Sequence, residues 1–124
     1  MKKAKILVCL GTRPEAIKML PVVQALSRLP EFVLKCCFTG QHRDLLDQTL
    51  PHIPIRLDWN LRLMQAHQSI EGFSARCLEQ LPKVFDEFCP DLVLVQGDTT
   101  TAVMGGLASF YKKIAVAHIE AGLR

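Results

Sequence analysis

The chain has 124 residues and a mass of 13.9 kDa, which allows one domain at most. Apolar residues make up 49% and charged residues 22%, the balance of a globular protein, and no apolar stretch reaches the ~18 residues of a membrane span. The net charge of +3, with no Lys/Arg-rich run, excludes a strong case for nucleic acid and suits an anionic small ligand.

Residues 4–10 are the first predicted strand, an apolar run broken by Gly11, Thr12 and Arg13 and therefore not a signal peptide. Residues 14–29 follow as a helix, with apolar positions spaced near three and four; Pro21 is expected to kink it. Residues 33–39 predict a second strand and 42–50 a short helix. Residues 55–59 are a weaker strand candidate. Over 69–88, Phe73, Cys77, Leu81, Val84 and Phe88 share one helical face, and Pro82 is expected to bend or split the helix. Residues 92–96 predict another strand. Residues 100–111 predict a helix whose Gly105, Gly106, Ala108 and Ser109 let it pack closely on a sheet. Residues 114–119 predict the last strand. None of the strands alternates strictly, as expected when both faces of a parallel sheet are covered. The order β-α-β-α-(β)-α-β-α-β predicts an α/β fold with right-handed crossovers. After residue 119 only a loop remains, so the chain is expected to stop in the middle of a βα unit.

Mean hydropathy is +0.19, which predicts surface covered by something outside the chain. The five cysteines, Cys9, Cys36, Cys37, Cys77 and Cys89, are odd in number and form no CxxC. They predict buried thiols in a reducing compartment: a cytoplasmic protein, with no metal and no disulfide.

Ligands of parallel sheets bind outside the carboxyl ends of the strands. After the first strand comes Gly11-Thr12-Arg13-Pro14-Glu15-Ala16-Ile17-Lys18. Gly11 permits a tight turn, and Thr12 and Glu15 have capping-box spacing. Either the helix N-terminus points free N–H groups into the crevice beside Arg13 and Lys18, an arrangement for phosphate, or it is a capped helix start with two solvated charges. It is neither a dinucleotide fingerprint nor a Walker loop. After the second strand come Gly40, Gln41, His42 and Arg43. Gly97-Asp98-Thr99-Thr100-Thr101 follows the strand at 92–96, with Asp98 either a helix cap or a catalytic carboxylate. After the last strand come His118 and Glu120, which alternation puts on one side. Arg13, Lys18, Asp98 and Glu120 thus reach one edge: cations for a phosphate and carboxylates for proton transfer. An enzyme acting on a phosphorylated substrate and a phosphate-binding module without chemistry both fit.

These four strings, with Leu46, Asp47 and Gln48, resemble the non-hydrolysing UDP-N-acetylglucosamine 2-epimerases of bacteria from end to end of the chain. The resemblance implies a Rossmann-like sheet, the N-terminal part of a GT-B architecture of two such domains. Residues 1–124 are then an incomplete first domain with the second absent, and this piece alone is expected to be inactive. It implies interconversion of UDP-N-acetylglucosamine and UDP-N-acetylmannosamine by elimination and re-addition of UDP, for cell-surface polysaccharide synthesis. It implies no cofactor and, in the full-length protein, a homodimer; neither nucleic acid nor membrane is a partner. By motif, Lys18, Asp98 and Glu120 would be catalytic, and Arg13, Gly11 and His118 would bind substrate. Gln41 and Gln68 match the region that contacts an activating second UDP-sugar. Gln96 stands where many members have His, and His67 where some have Arg. The alternatives are a non-catalytic UDP-sugar-binding module, a GT-B glycosyltransferase and a hydrolysing epimerase.

Overall fold

A computed structural model of the chain describes residues 2–41, 53–120 and 122. Its elements run β1 Ala4–Leu10, α1 Arg13–Ser27, β2 Phe32–Phe38, β3 Trp59–Asn60, α2 Ile70–Phe88, β4 Leu92–Gln96, α3 Thr100–Tyr111 and β5 Ala115–Ile119. The five strands form one parallel sheet in the order β3-β2-β1-β4-β5. The predicted helix at 42–50 lies outside the described residues.

β1 is the central strand, and alternation divides its side chains between two cores. Ile6, Val8 and Leu10 join Ala16 and Met19 of α1, with Cys36, Phe38 and Leu94. Leu7 and Cys9 join Phe73, Cys77, Leu81 and Phe85 of α2 and Ala102 and Ala108 of α3. The apolar run that did not alternate in polarity does alternate in destination, because helices cover both faces. α3 approaches the sheet closely at Gly105, where a Cβ would come within 2.9 Å of Val95 Cγ1.

Several expectations are corrected. α2 runs through Pro82 as one helix, so that proline does not split it, and α1 likewise contains Pro21 within its span. The weak strand expected at 55–59 is reduced to Trp59–Asn60, which pairs with Cys37 and Phe38. β5 is not buried: it is the edge strand of the sheet, and Val116 is 44% exposed. Phe110 and Tyr111 of α3 are more exposed still, at 75% and 65%, and Ile17 of α1 and Ile70 of α2 are exposed as well. Four cysteines are buried, but Cys89 is exposed, because it caps α2 in the left-handed conformation past the last packed turn. Among the described residues no helix is long and apolar enough to cross a membrane.

Candidate functional site

The carboxyl ends of β1, β4 and β5 open on a cavity of about 680 Å³. Lys18 reaches it from α1, Asp98 from the loop after β4, and His118 and Glu120 from the end of β5. Three strand ends therefore bring together three of the four ionisable residues expected there.

Glu120 is the meeting point. The Lys18 Nζ lies 3.3 Å from Glu120 Oε1, and Gln96 Nε2 donates to the same oxygen at 2.7 Å. Gln96 is the last residue of β4 and only 3% exposed, so it is a fixed donor. Alternation does not carry Glu120 to its place. β5 ends at Ile119, and Glu120 takes φ +66°, a left-handed conformation that is uncommon for a residue with a Cβ. That backbone turn, one residue past the strand, is strain stored at the cavity wall.

His118 Nε2 lies 2.6 Å from the Gly97 carbonyl oxygen. A carbonyl only accepts, so Nε2 carries the proton, and in the neutral ring Nδ1 is left as the acceptor. His118 is exposed rather than a core histidine. Asp98 is also exposed, and it is not the helix cap: the cap of α3 is Thr99, whose hydroxyl accepts the Ala102 N–H at 3.1 Å. Among the described residues Asp98 has no hydrogen-bond partner, which leaves its carboxylate open to the cavity.

The N-terminus of α1 is not the open anion site that its sequence suggested. Glu15 folds back into it. Its Oε2 accepts the Gly11 N–H at 2.9 Å, the Thr12 N–H at 2.6 Å and the Thr12 hydroxyl at 2.8 Å. The Glu15 N–H goes to Thr12 Oγ1, and Pro14 has no N–H to offer. An internal carboxylate thus occupies the place expected for a phosphate. Arg13 opens α1 but does not line the cavity. Gly11 is also off the wall. It is packed beneath it, where a Cβ would fall 2.0 Å from Thr101 Oγ1.

Gln41 lines the same cavity and its Oε1 accepts from the Thr101 hydroxyl at 3.2 Å; Thr101 also shares a 2.8 Å bond with Thr39 Oγ1. Gln68 is not part of this wall; its Oε1 accepts the Gln65 N–H at 2.9 Å in the loop before α2. The residues that sequence reasoning missed are the buried floor: Thr39, Thr101 and the structural side of Glu15. A threonine past a strand end or in the first turn of a helix carries no signal of its own, and Glu15 is visible only as a cap.

A parallel sheet with covered faces, and with its lysine, carboxylates and histidine gathered at the strand ends, defines a Rossmann-like α/β unit. The family model described as UDP-N-acetylglucosamine 2-epimerase matches residues 24–124. The chain is 51% identical to the UDP-N-acetylglucosamine 2-epimerase of Escherichia coli (strain K12) over 120 residues, 97% of this chain and 32% of the relative. It is 47% identical to that of Bacillus subtilis (strain 168) over 124 residues, 100% of this chain and 33% of the relative. Among solved structures, UDP-GlcNAc 2-epimerase from Neisseria meningitidis bound to UDP-GlcNAc superposes with a TM-score of 0.89 at 48% identity, covering 97% of this chain and 32% of that one. The Methanocaldococcus jannaschii enzyme in complex with UDP-GlcNAc and UDP gives 0.84 at 35% identity, covering 97% and 33%. The chain belongs to the UDP-N-acetylglucosamine 2-epimerase family. It spans about a third of the length of the curated relatives it matches.

Proposed function

We propose that this chain supplies one wall of a site that interconverts UDP-N-acetylglucosamine and UDP-N-acetylmannosamine. The observation that carries the reading is the convergence of Lys18, Asp98 and Glu120 on one cavity, in a chain half identical to named epimerases. The other wall belongs to the length of the relatives that this chain does not match.

The reaction removes the proton at C2 while the C1–oxygen bond breaks, and the electron pair of that bond leaves with UDP. A 2-acetamidoglucal and UDP result. Reprotonation of C2 on the opposite face and re-addition of UDP at C1 complete the inversion. The C2 hydrogen is not acidic, so stabilising the departing diphosphate carries much of the barrier. Two carboxylates serve the two proton transfers. Asp98, open to the cavity, takes one; Glu120, oriented by Gln96 and Lys18, takes the other. Lys18 offers its remaining N–H donors toward the leaving diphosphate, and Arg13, exposed one turn away, adds charge at the rim. His118 presents Nδ1 to the substrate. Gly11 contributes through the packing beneath the wall. The Gln41 and Gln68 regions remain part of the proposal as contacts of a second UDP-sugar. Buried free thiols support a cytoplasmic setting, and the exposed side chains of α3 support a homodimer.

The test is the natural polypeptide incubated with UDP-N-acetylglucosamine in D2O. The reading predicts deuterium at C2 in step with formation of UDP-N-acetylmannosamine. Epimer formed with its original C2 hydrogen would overturn the elimination.

A further inference from the structure

Glu15 is 1% exposed, and burying a carboxylate is costly unless it is fully satisfied. No lysine or arginine among the described residues pairs with it. Four donors hold it instead, and they are divided unequally. A capping box asks only that the glutamate receive the N-cap backbone N–H. Here Oε2 alone receives that N–H, the Gly11 N–H and the Thr12 hydroxyl. Oε1 is left for something else. It accepts the hydroxyl of Thr99 at 2.7 Å, across 84 positions of sequence.

Thr99 is the N-cap of α3 and the residue directly after Asp98. Lys18 lies about one turn beyond Glu15 on α1. One carboxylate therefore clamps the start of the helix that carries Lys18 to the start of the helix that Asp98 precedes. Lys18 in turn holds Glu120. We infer that Glu15 is a positioning residue: its carboxylate fixes Asp98 relative to the Lys18–Glu120 pair through Thr99. The inference rests on the epimerase reading proposed above. A cap alone would need neither the burial nor the second oxygen's partner.

Four variants in the natural polypeptide test it. Glu15→Ala and Thr99→Val each remove the bridge. Small displacements of reacting groups are costly, so each is expected to lower kcat by about tenfold to a hundredfold, with KM changed by less than about threefold. Because both variants break one link, the double variant is expected to be no slower than the worse single one. Glu15→Gln can still reach both sides, with its amide oxygen on the Gly11 and Thr12 donors and its N–H on Thr99 Oγ1. It and Thr99→Ser are expected to restore kcat to within about threefold of the parent. A folded Glu15→Ala protein with unchanged kcat, or losses that multiply in the double variant, would overturn the inference. If Glu15→Ala does not fold, Thr99→Val against Thr99→Ser decides on the same criterion. If the parent shows no epimerase activity, the functional reading fails, and amide hydrogen exchange over residues 97–101 decides the clamp. Exchange about tenfold faster in Thr99→Val than in Thr99→Ser is then expected, and equal rates refute it.

Discussion

At the strand starts, Lys5 and Asp91 are bound into the backbone. Asp91 Oδ2 accepts the Lys5 N–H at 2.7 Å, the Asp91 N–H returns to the Lys5 carbonyl at 2.8 Å, and the Lys5 ammonium donates to the Phe88 carbonyl at 3.3 Å while lying over the Phe88 ring. Around the cavity at the strand ends, Lys18 and Gln96 meet at Glu120 and Asp98 stands open beside them, while Glu15 and His118 also take backbone partners. The two ends carry the same residue types. What differs is that only the second group faces a cavity. Charges spent on backbone groups of adjacent elements hold the sheet together. Charges held in place by side chains from separate loops enclose a space and remain available to a ligand.

A pair of isosteric changes separates the two ends most strongly. Asp98→Asn and Glu120→Gln are expected to lower turnover of UDP-N-acetylglucosamine by about 10²–10⁴-fold, the range for a lost proton-transfer group. Asp91→Asn, at the other end, is expected to leave turnover within about twofold and to cost about 1 kcal/mol of stability in urea unfolding. Equal losses of activity at both ends would remove the distinction. Next in size is Gly11→Ala. Its Cβ would meet Thr101 Oγ1 at 2.0 Å, and overpacking of this kind costs about 1–3 kcal/mol. Denaturant titration measures it, and an unchanged midpoint would mean that the floor yields freely.

A last effect, confined to alkaline pH, concerns the thiols that neither end uses. Burial pushes Cys36, Cys37 and Cys77 up to about 12, from an ordinary value of 9.0, and Cys9 well above it. Between pH 9 and 12 the unfolded chain loses thiol protons that the native chain keeps. Unfolding therefore releases protons, and stability falls as pH rises through that window. Urea midpoints at rising alkaline pH check the slope. Iodoacetamide near neutral pH is expected to label Cys89 in the native chain and the other four only after unfolding.

Most of the fold was legible because burial leaves short apolar runs and helical periodicity that differ in length. β1, β4 and α3 fell at the expected residues for that reason. The split considered at Pro82 does not occur, since a proline removes one hydrogen bond and packing of the apolar face outweighs it. β3 was overextended because Ile55 is buried by α1-side packing without joining the sheet. For the site, Lys18, Asp98 and Glu120 were legible from their places after strands. The occupied N-terminus of α1 was not: Thr12 and Glu15 announce a cap, but only the tertiary approach of Thr99 shows where the second oxygen goes. Nor does any residue type announce the turn at Glu120, a conformation that glycine or asparagine ordinarily supplies.

On the proposed function, the strand ends and not the strand starts receive the nucleotide sugar. Titration of the 15N-labelled natural polypeptide with UDP-N-acetylglucosamine, followed by amide chemical shifts, distinguishes the two ends. Shifts are expected to concentrate in residues 12–18, 96–101 and 118–120, with Lys5, Phe88 and Asp91 unmoved. Saturable binding that shifts the strand starts and leaves Lys18, Asp98 and Glu120 in place would contradict that function.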